Sequence, residues 1–284
     1  MDESNLDLEK LQNLQLLLPT QAEVKNLKAY TGPRDSLGQC EKFFFAMSAV
    51  SRLQSRIHVF IFRLQLPETS ESLTRRMNVV RTACEQVTGC EKLVVVLQKV
   101  LAVGNVMNEG TYKGAASGFT LDSLIKITMT KGKDKKTTVL DAVARLLGEQ
   151  GKSDLFDFPR ELSRVEEAAR IPKAQLLTDL SFLDSGLTRV KAERDALAAE
   201  GDGTGQDASL QKVEKFLDDA SGVIAELRST MAGVEEQCKQ LADYFGEPAT
   251  TPSEKVFDVM LEFTRKCMAA KDKYRRSRPK SEAL

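Results

Sequence analysis

Tryptophan is missing from this chain of 284 residues, histidine occurs once, and none of the five cysteines forms a CxxC pair. A zinc site or a Cys/His catalytic pair therefore has little to be built from. The lone His58 falls between Ile57 and Val59, off the strongest apolar stripe of its segment, a position that suits a surface or capping side chain. Cys40, Cys84, Cys90, Cys238 and Cys267 are odd in number and scattered. Cys40, Cys84 and Cys238 take apolar positions of helical patterns, as reduced thiols in a cytosolic chain do. An excess of charge is also absent: 41 Lys and Arg against 41 Asp and Glu leave a formal net charge of 0, so any basic surface must be local. No apolar run approaches a membrane span, and the acidic start MDESNLDLEK lacks the basic and apolar regions of a signal peptide. Aromatics are scarce at 6% and prolines number 8, whereas charged residues reach 29%, a balance that favours helices over sheets. The expected class is all-α, as one large domain or two small ones.

What is present is helical periodicity. Leu8, Leu11, Leu14 and Leu16–Leu18 make one broad stripe that Pro19 stops, and Thr20 with Glu23 forms a capping box for the next helix. A third helix over residues 38–47 carries Phe43, Phe44 and Phe45, which must be buried or interfacial. Residues 52–66, 69–88 and 91–103 read as three further helices, the last apolar on most sides and hence central. After the glycine segment come an amphipathic helix over 137–147 and another over 160–170, broken by Pro172. Leu176, Leu180, Leu183, Leu187, Val190 and Leu197 then step by three and four, with Arg194 standing where one apolar residue is missing. After the flexible GDGTGQD, the same stepping runs from Leu210 through Leu217, Ile224, Leu227, Met231 and Cys238 to Phe245, which is a heptad seam. Two such helices joined by a short break predict an antiparallel hairpin projecting from the globular part, with the seam as its internal packing face.

Residues 104–138 are the unusual stretch. Gly104, Gly110, Gly114 and Gly118 let the backbone turn or pass close to a neighbour, and Asn105 and Asn108 can pin a loop with their amides. Lys126, Lys131, Lys133, Lys135 and Lys136 follow. Glycines beside lysines suggest phosphate, yet Gly114 is followed by two alanines rather than the Lys-Ser/Thr of a P-loop, and no parallel sheet is expected. Nucleic acid is a better rival, although no interleaved aromatic offers base stacking. Glu166 and Glu167 sit on a charged helix face with nothing to carry them to a pocket, so an enzyme is the least supported class.

Ordered along the chain, Gly104, Asn105, Met107, Asn108 and Gly110, then Gly118, Phe119, Leu121, Leu124, Lys126 and Ile127, then Lys131, Lys136 and Thr138 resemble the central signature of the formin homology 2 domain of formins. LLLPTQAEV at 16–24, the helix at 52–66, FPRELSRVEEAARI at 158–171 and LADYFGE at 241–247 extend the resemblance over nearly the whole chain. The resemblance implies an elongated helical fold within one partial domain over 1–284: knob-like helices over 6–103, a post-like region over 104–172, an antiparallel coiled-coil hairpin over 173–246 and a C-terminal helix over 253–275. It implies a cytoplasmic, cytoskeletal protein that nucleates actin filaments and tracks their barbed ends, with no cofactor, metal, nucleic acid or membrane partner. Lys126, Lys131 and Lys136 match the family's actin-contacting lysines. Gly104, Asn105, Met107, Asn108, Gly110, Gly118 and Phe119 match the post surface that receives the lasso of a second subunit. Met129 and Asp141 depart from the family, which often has an acidic residue and a histidine there. By the family's order the lasso, linker and first knob segment would precede Leu6, so activity is expected to be impaired and a homodimer of the family's kind possible only if a lasso is supplied. The alternative is a helical scaffold whose seam recruits a partner protein or microtubules.

Overall fold

Caps written in the sequence set where the helices begin. In the computed structural model, which describes residues 7–110, 115–118, 120–132, 136–199 and 206–277, Asp7 accepts the Lys10 amide at 2.8 Å and opens α1, Leu8–Leu16. Thr20 and Glu23 close the expected capping box, each accepting from the other's backbone N–H, at the head of α2, Gln21–Ala29. Then follow α3 Gln39–Ser48, α4 Leu53–Gly89, α5 Glu91–Met107, α6 Leu121–Met129, α7 Val139–Glu149 and the short α8 Val165–Ala168. The long α9 Lys173–Ala199, α10 Gln206–Tyr244 and α11 Ser253–Ser277 complete the chain, with 3-10 turns at Arg34–Ser36 and Ser153–Arg160. The described residues contain no sheet, and the fold is all-α.

Three boundaries differ from the sequence reading. The expected helices at 52–66 and 69–88 are one helix, α4, because the buried stripe of Phe62 and Leu66 resumes in phase at Leu73 and Met77. Pro67 lies on the exposed side of α4, where its missing N–H is tolerated, and Ser70 Oγ donates to its carbonyl at 2.9 Å. The expected helix over 160–170 shrinks to α8: Gln86 on α4 accepts the Arg164 N–H at 2.9 Å and donates to Ser163 Oγ at 3.1 Å, fixing those residues as a turn. Finally, α5 does not stop at Val103 but runs through Gly104 and Asn105 to Met107.

The chain divides into two compact units. The first comprises Met1–Leu73 and Thr178–Arg228. There the Phe62 ring occupies the space left by Gly186, whose Cβ, were there one, would lie 2.2 Å from the ring, and meets Phe216 edge-on at 6.0 Å. Arg228 on α10 pairs with Asp184 on α9 at 2.6 Å. The gap in the α9 stripe is filled by Glu193, not Arg194: Glu193 is buried and meets Arg52 at 3.3 Å and Arg56 at 3.6 Å, so the carboxylate turns inward toward two cations while Arg194 pairs outside with Asp195. His58 is half-buried rather than a surface residue, hydrogen-bonded through Nε2 to Gln15 at 2.7 Å. None of Phe43, Phe44 and Phe45 is fully buried; Phe44 tilts against Phe43, and Phe45 carries the Arg34 guanidinium 4.2 Å above its ring. Cys40 is likewise exposed, contrary to its apolar position in the pattern.

The second unit comprises Thr74–Leu177 and Ser229–Leu284. Its core holds Phe156, Phe158, Phe257 and Phe263, with Phe158 stacked on Phe263 at 6.1 Å. α11 packs on α7 where Gly148 leaves room for the Tyr274 ring, and Lys271–Asp157 and Lys273–Asp141 ion pairs, each 2.7 Å, flank that contact. All the α9 and α10 seam residues from Leu176 to Leu197 and from Val213 to Leu241 are buried, leaving only Leu210 and Phe245 at the ends half-exposed.

Candidate binding surface around α6

Gly104 does not turn the chain. It is buried inside α5, and a Cβ there would stand 2.5 Å from Ile127 Cδ1, so glycine lets α5 approach α6 closely. The turn begins four residues later, at Asn108. The Asn108 N–H donates back to the Gly104 carbonyl at 3.0 Å and ends the helix, and Gly110 takes the left-handed conformation at φ 79°. Asn105 then does what an amide in this setting can do. Its Nδ2 donates to the Ala116 carbonyl at 2.8 Å and its Oδ1 accepts the Ala116 N–H at 2.9 Å, clamping residues 115–118 to the end of α5. Met107 is half-buried beside it, and Gly118 is exposed with open space around it. Phe119 lies outside the described residues.

Both ends of α6 are fixed from elsewhere in the chain. Thr120 caps it through the Ser123 N–H, and Glu247 Oε1 accepts the Leu121 N–H at 3.2 Å. Glu247 reaches this position because Gly246, left-handed at φ 66°, turns the chain at the end of α10. At the other end Lys131 and Thr138 pair as an antiparallel bridge, with Gly132 N–H to Thr137 O at 2.8 Å and Val139 N–H to Thr130 O at 3.2 Å. Thr138 also starts α7 in a capping box with Asp141. That explains the departure at Asp141: the carboxylate accepts the Thr138 N–H at 2.9 Å and the Lys273 ammonium at 2.7 Å. Burial pushes this carboxyl up, but the hydrogen bonds from Lys273 and Thr138 outweigh it and hold it below the ordinary carboxylate range.

Lys126, Lys131 and Lys136 are all exposed on this framework, the first on α6 and the other two on the bridged loop. Lys126 and Lys131 form no ion pair with any described residue. Met129, between them in sequence, is 56% exposed, so apolar surface adjoins the cations, and Val106 beside the Asn105 clamp is 71% exposed. The sequence reading missed Glu247 and the Lys273–Asp141 support, and for a reason: both act across more than a hundred residues, with no local signal. Among the described residues no cluster of His, Cys, Asp and Glu is placed to hold a metal ion.

Comparison with known proteins places the chain in a family. The family model of the Formin Homology 2 Domain matches residues 1–267. The chain belongs to the formin homology 2 family. Its formin relatives include Formin-like protein 6 of Oryza sativa subsp. japonica, 34% identical over 266 residues, which cover 93% of this chain and 19% of that protein. Formin-like proteins 20 and 13 of Arabidopsis thaliana are each 35% identical over 266 residues, covering 93% of this chain and 16% and 21% of theirs. This formin homology 2 chain thus spans about a fifth of the length of such relatives.

Proposed function

We propose that the chain is an actin-binding formin core, of the type that nucleates filaments and stays with the growing barbed end. Membership of the family makes actin the expected partner, and one observation carries the assignment of the surface. Lys126, Lys131 and Lys136 stand exposed around a helix whose two ends are pinned, by Glu247 on one side and by the Lys131–Thr138 bridge on the other. Actin is acidic, and lysines held at a rim steer and pair with an acidic partner at little desolvation cost. The role is binding and positioning rather than enzymatic catalysis, and it places the protein with the cytoskeleton. Protein is favoured over nucleic acid because no stacking aromatic accompanies the lysines, and no helix among the described residues is long and apolar enough to cross a membrane.

In this reading Asn105, Met107, Asn108, Gly110, Gly118 and Phe119 make the surface that takes the lasso of a second subunit, and buried Gly104 supports it by letting α5 meet α6. Pyrene-actin assembly tests the lysines. Lys131→Ala is expected to slow nucleation and weaken filament-end binding by about 1 kcal/mol, roughly five-fold, and unchanged actin binding in the Lys126, Lys131 and Lys136 single variants sinks the assignment. The scaffold alternative has less support, because the seam meant to recruit a partner helix is buried within the chain itself.

A further inference from the structure

The first unit contains a cavity of about 260 Å³, lined by side chains of α1, α4 and α9, that actin binding does not use. Part of its wall is apolar. Phe62 is buried there, its ring in the place of a Gly186 side chain, and Ile61 is half-buried. Phe182 on α9 lines the mouth and is 53% exposed, so much of its ring is left for an occupant to cover. The rest of the wall is polar. Gln12 of α1, Gln65 of α4 and Arg189 of α9 make no hydrogen bond or ion pair with any described residue. Gln15 donates through Nε2 to His58 Nε2 at 2.7 Å, which holds that carboxamide in place with its oxygen free. No Asp or Glu lines the cavity. The two acids nearest Arg189 along α9 are engaged elsewhere, Glu193 with Arg52 and Arg56 and Asp184 with Arg228, so the Arg189 guanidinium has no carboxylate to meet.

We propose that this cavity binds a small aromatic carboxylate, its ring against Phe182 and Ile61 and its carboxylate on the Arg189 guanidinium, with the Gln12 and Gln65 amides as further donors. Size limits the occupant. An apolar cavity of about 150 Å³ takes benzene, and sites for drug-sized molecules begin near about 300 Å³, so 260 Å³ suits one ring or two fused rings with a short substituent. Charge selects the substituent. The planar guanidinium fork matches the two oxygens of a carboxylate, and one cation balances a monoanion better than the nearly double charge of a phosphate monoester. Carboxamides supply donors without adding charge, so they orient the acid and leave that balance unchanged. None of these residues belongs to the surface around α6, so the proposal stands apart from the actin assignment.

Saturation-transfer NMR titration of the full chain tests this with 2-naphthoate as the probe. 2-Naphthalenemethanol presents the same rings without the charge, and 2-naphthyl phosphate presents them with a larger one. Naphthoate is expected to bind with a dissociation constant of about 1 mM or below, the range open to a ligand of its size. The alcohol should bind about ten-fold more weakly, for want of the charge-assisted pair, and the phosphate no more tightly than the carboxylate. Arg189→Gln should weaken naphthoate about ten-fold and leave the alcohol unchanged. Ser185→Trp, which sets an indole at the mouth, should abolish binding of all three. Arg189 and Ser185 are exposed, so neither change disturbs the core, and the helical circular dichroism of each variant checks that. Naphthoate binding that survives both substitutions overturns the proposal. In the native chain alone, no saturation transfer at about 5 mM naphthoate, equal affinity for acid and alcohol, or tighter binding of the phosphate overturns it as well, and none of these three results depends on a variant folding.

Discussion

At the scale of single residues, what a side chain faces decides its role more than what it is. His58 has no chemistry in prospect, yet its position is informative. Burial first, and the Arg189 charge second, push its imidazole below the ordinary histidine value, so the folded chain prefers the neutral ring. Gln15 at 2.7 Å from Nε2 is its polar partner. A histidine with a depressed folded-state pKa makes the unfolded state the better proton acceptor, so stability is full above the free value near 6.5 and declines as pH falls through the folded value. Urea midpoints measured at pH 7.5 and pH 5 should therefore drop for the native sequence, and His58→Gln should lessen that drop; an identical drop in the variant assigns the pH dependence to other groups. Glu193 makes the same point about environment. A sequence stripe permits either Glu193 or Arg194 at the vacant seam position, and only the presence of Arg52 and Arg56, at the start of α4 and more than a hundred residues away, turns the glutamate inward.

At the scale of elements, periodicity and caps made most helices legible, and long-range contacts explain the misses. The Thr20–Glu23 box and the seam spacing are local, and both were readable from the order of residues. The continuity of α4 through Pro67 and the shortening at residues 160–170 were not, because the first depends on what packs against the stripe and the second on Gln86. The candidate surface divides in the same way. Its glycines, asparagines and lysines were visible as types, whereas the Asn105 clamp on Ala116 and the Glu247 cap of α6 needed the fold. Gly104 and Gly118 look equivalent in sequence and are not. A leucine at Gly104 has to displace Ile127 and so prise α6 from α5, with an expected loss of about 1–3 kcal/mol from overpacking. Gly118 has open space and no left-handed φ, so Gly118→Ala should fall within about 0.5 kcal/mol of the native chain. Equal urea midpoints for Gly104→Leu and Gly118→Ala contradict the close approach of the two helices.

At the scale of the whole molecule, a balanced total of charge coexists with a one-signed rim. With 41 basic and 41 acidic residues the chain exerts no net long-range pull on an acidic filament, so attraction must come from the local surface around α6. Some surface cations are held in local pairs, such as Lys10 with Asp7, Arg145 with Glu149 and Arg170 with Glu166, whereas Lys126 and Lys131 pair with no described residue. Exposed pairs of this sort are screened over roughly 8–10 Å at physiological salt. Binding to actin through the rim is therefore expected to weaken as salt rises from about 50 to 200 mM, mainly through slower association. The exposed Met129 contributes a part of the contact that salt does not weaken, so affinity should level off rather than vanish. Lys126→Ala and Lys131→Ala each remove one charge from the rim, and each should reduce the steepness of the salt dependence as well as the affinity at low salt. Association rates measured across that salt range for the native chain and both variants separate the two contributions; parallel lines of equal slope would mean that actin docks on a surface other than α6.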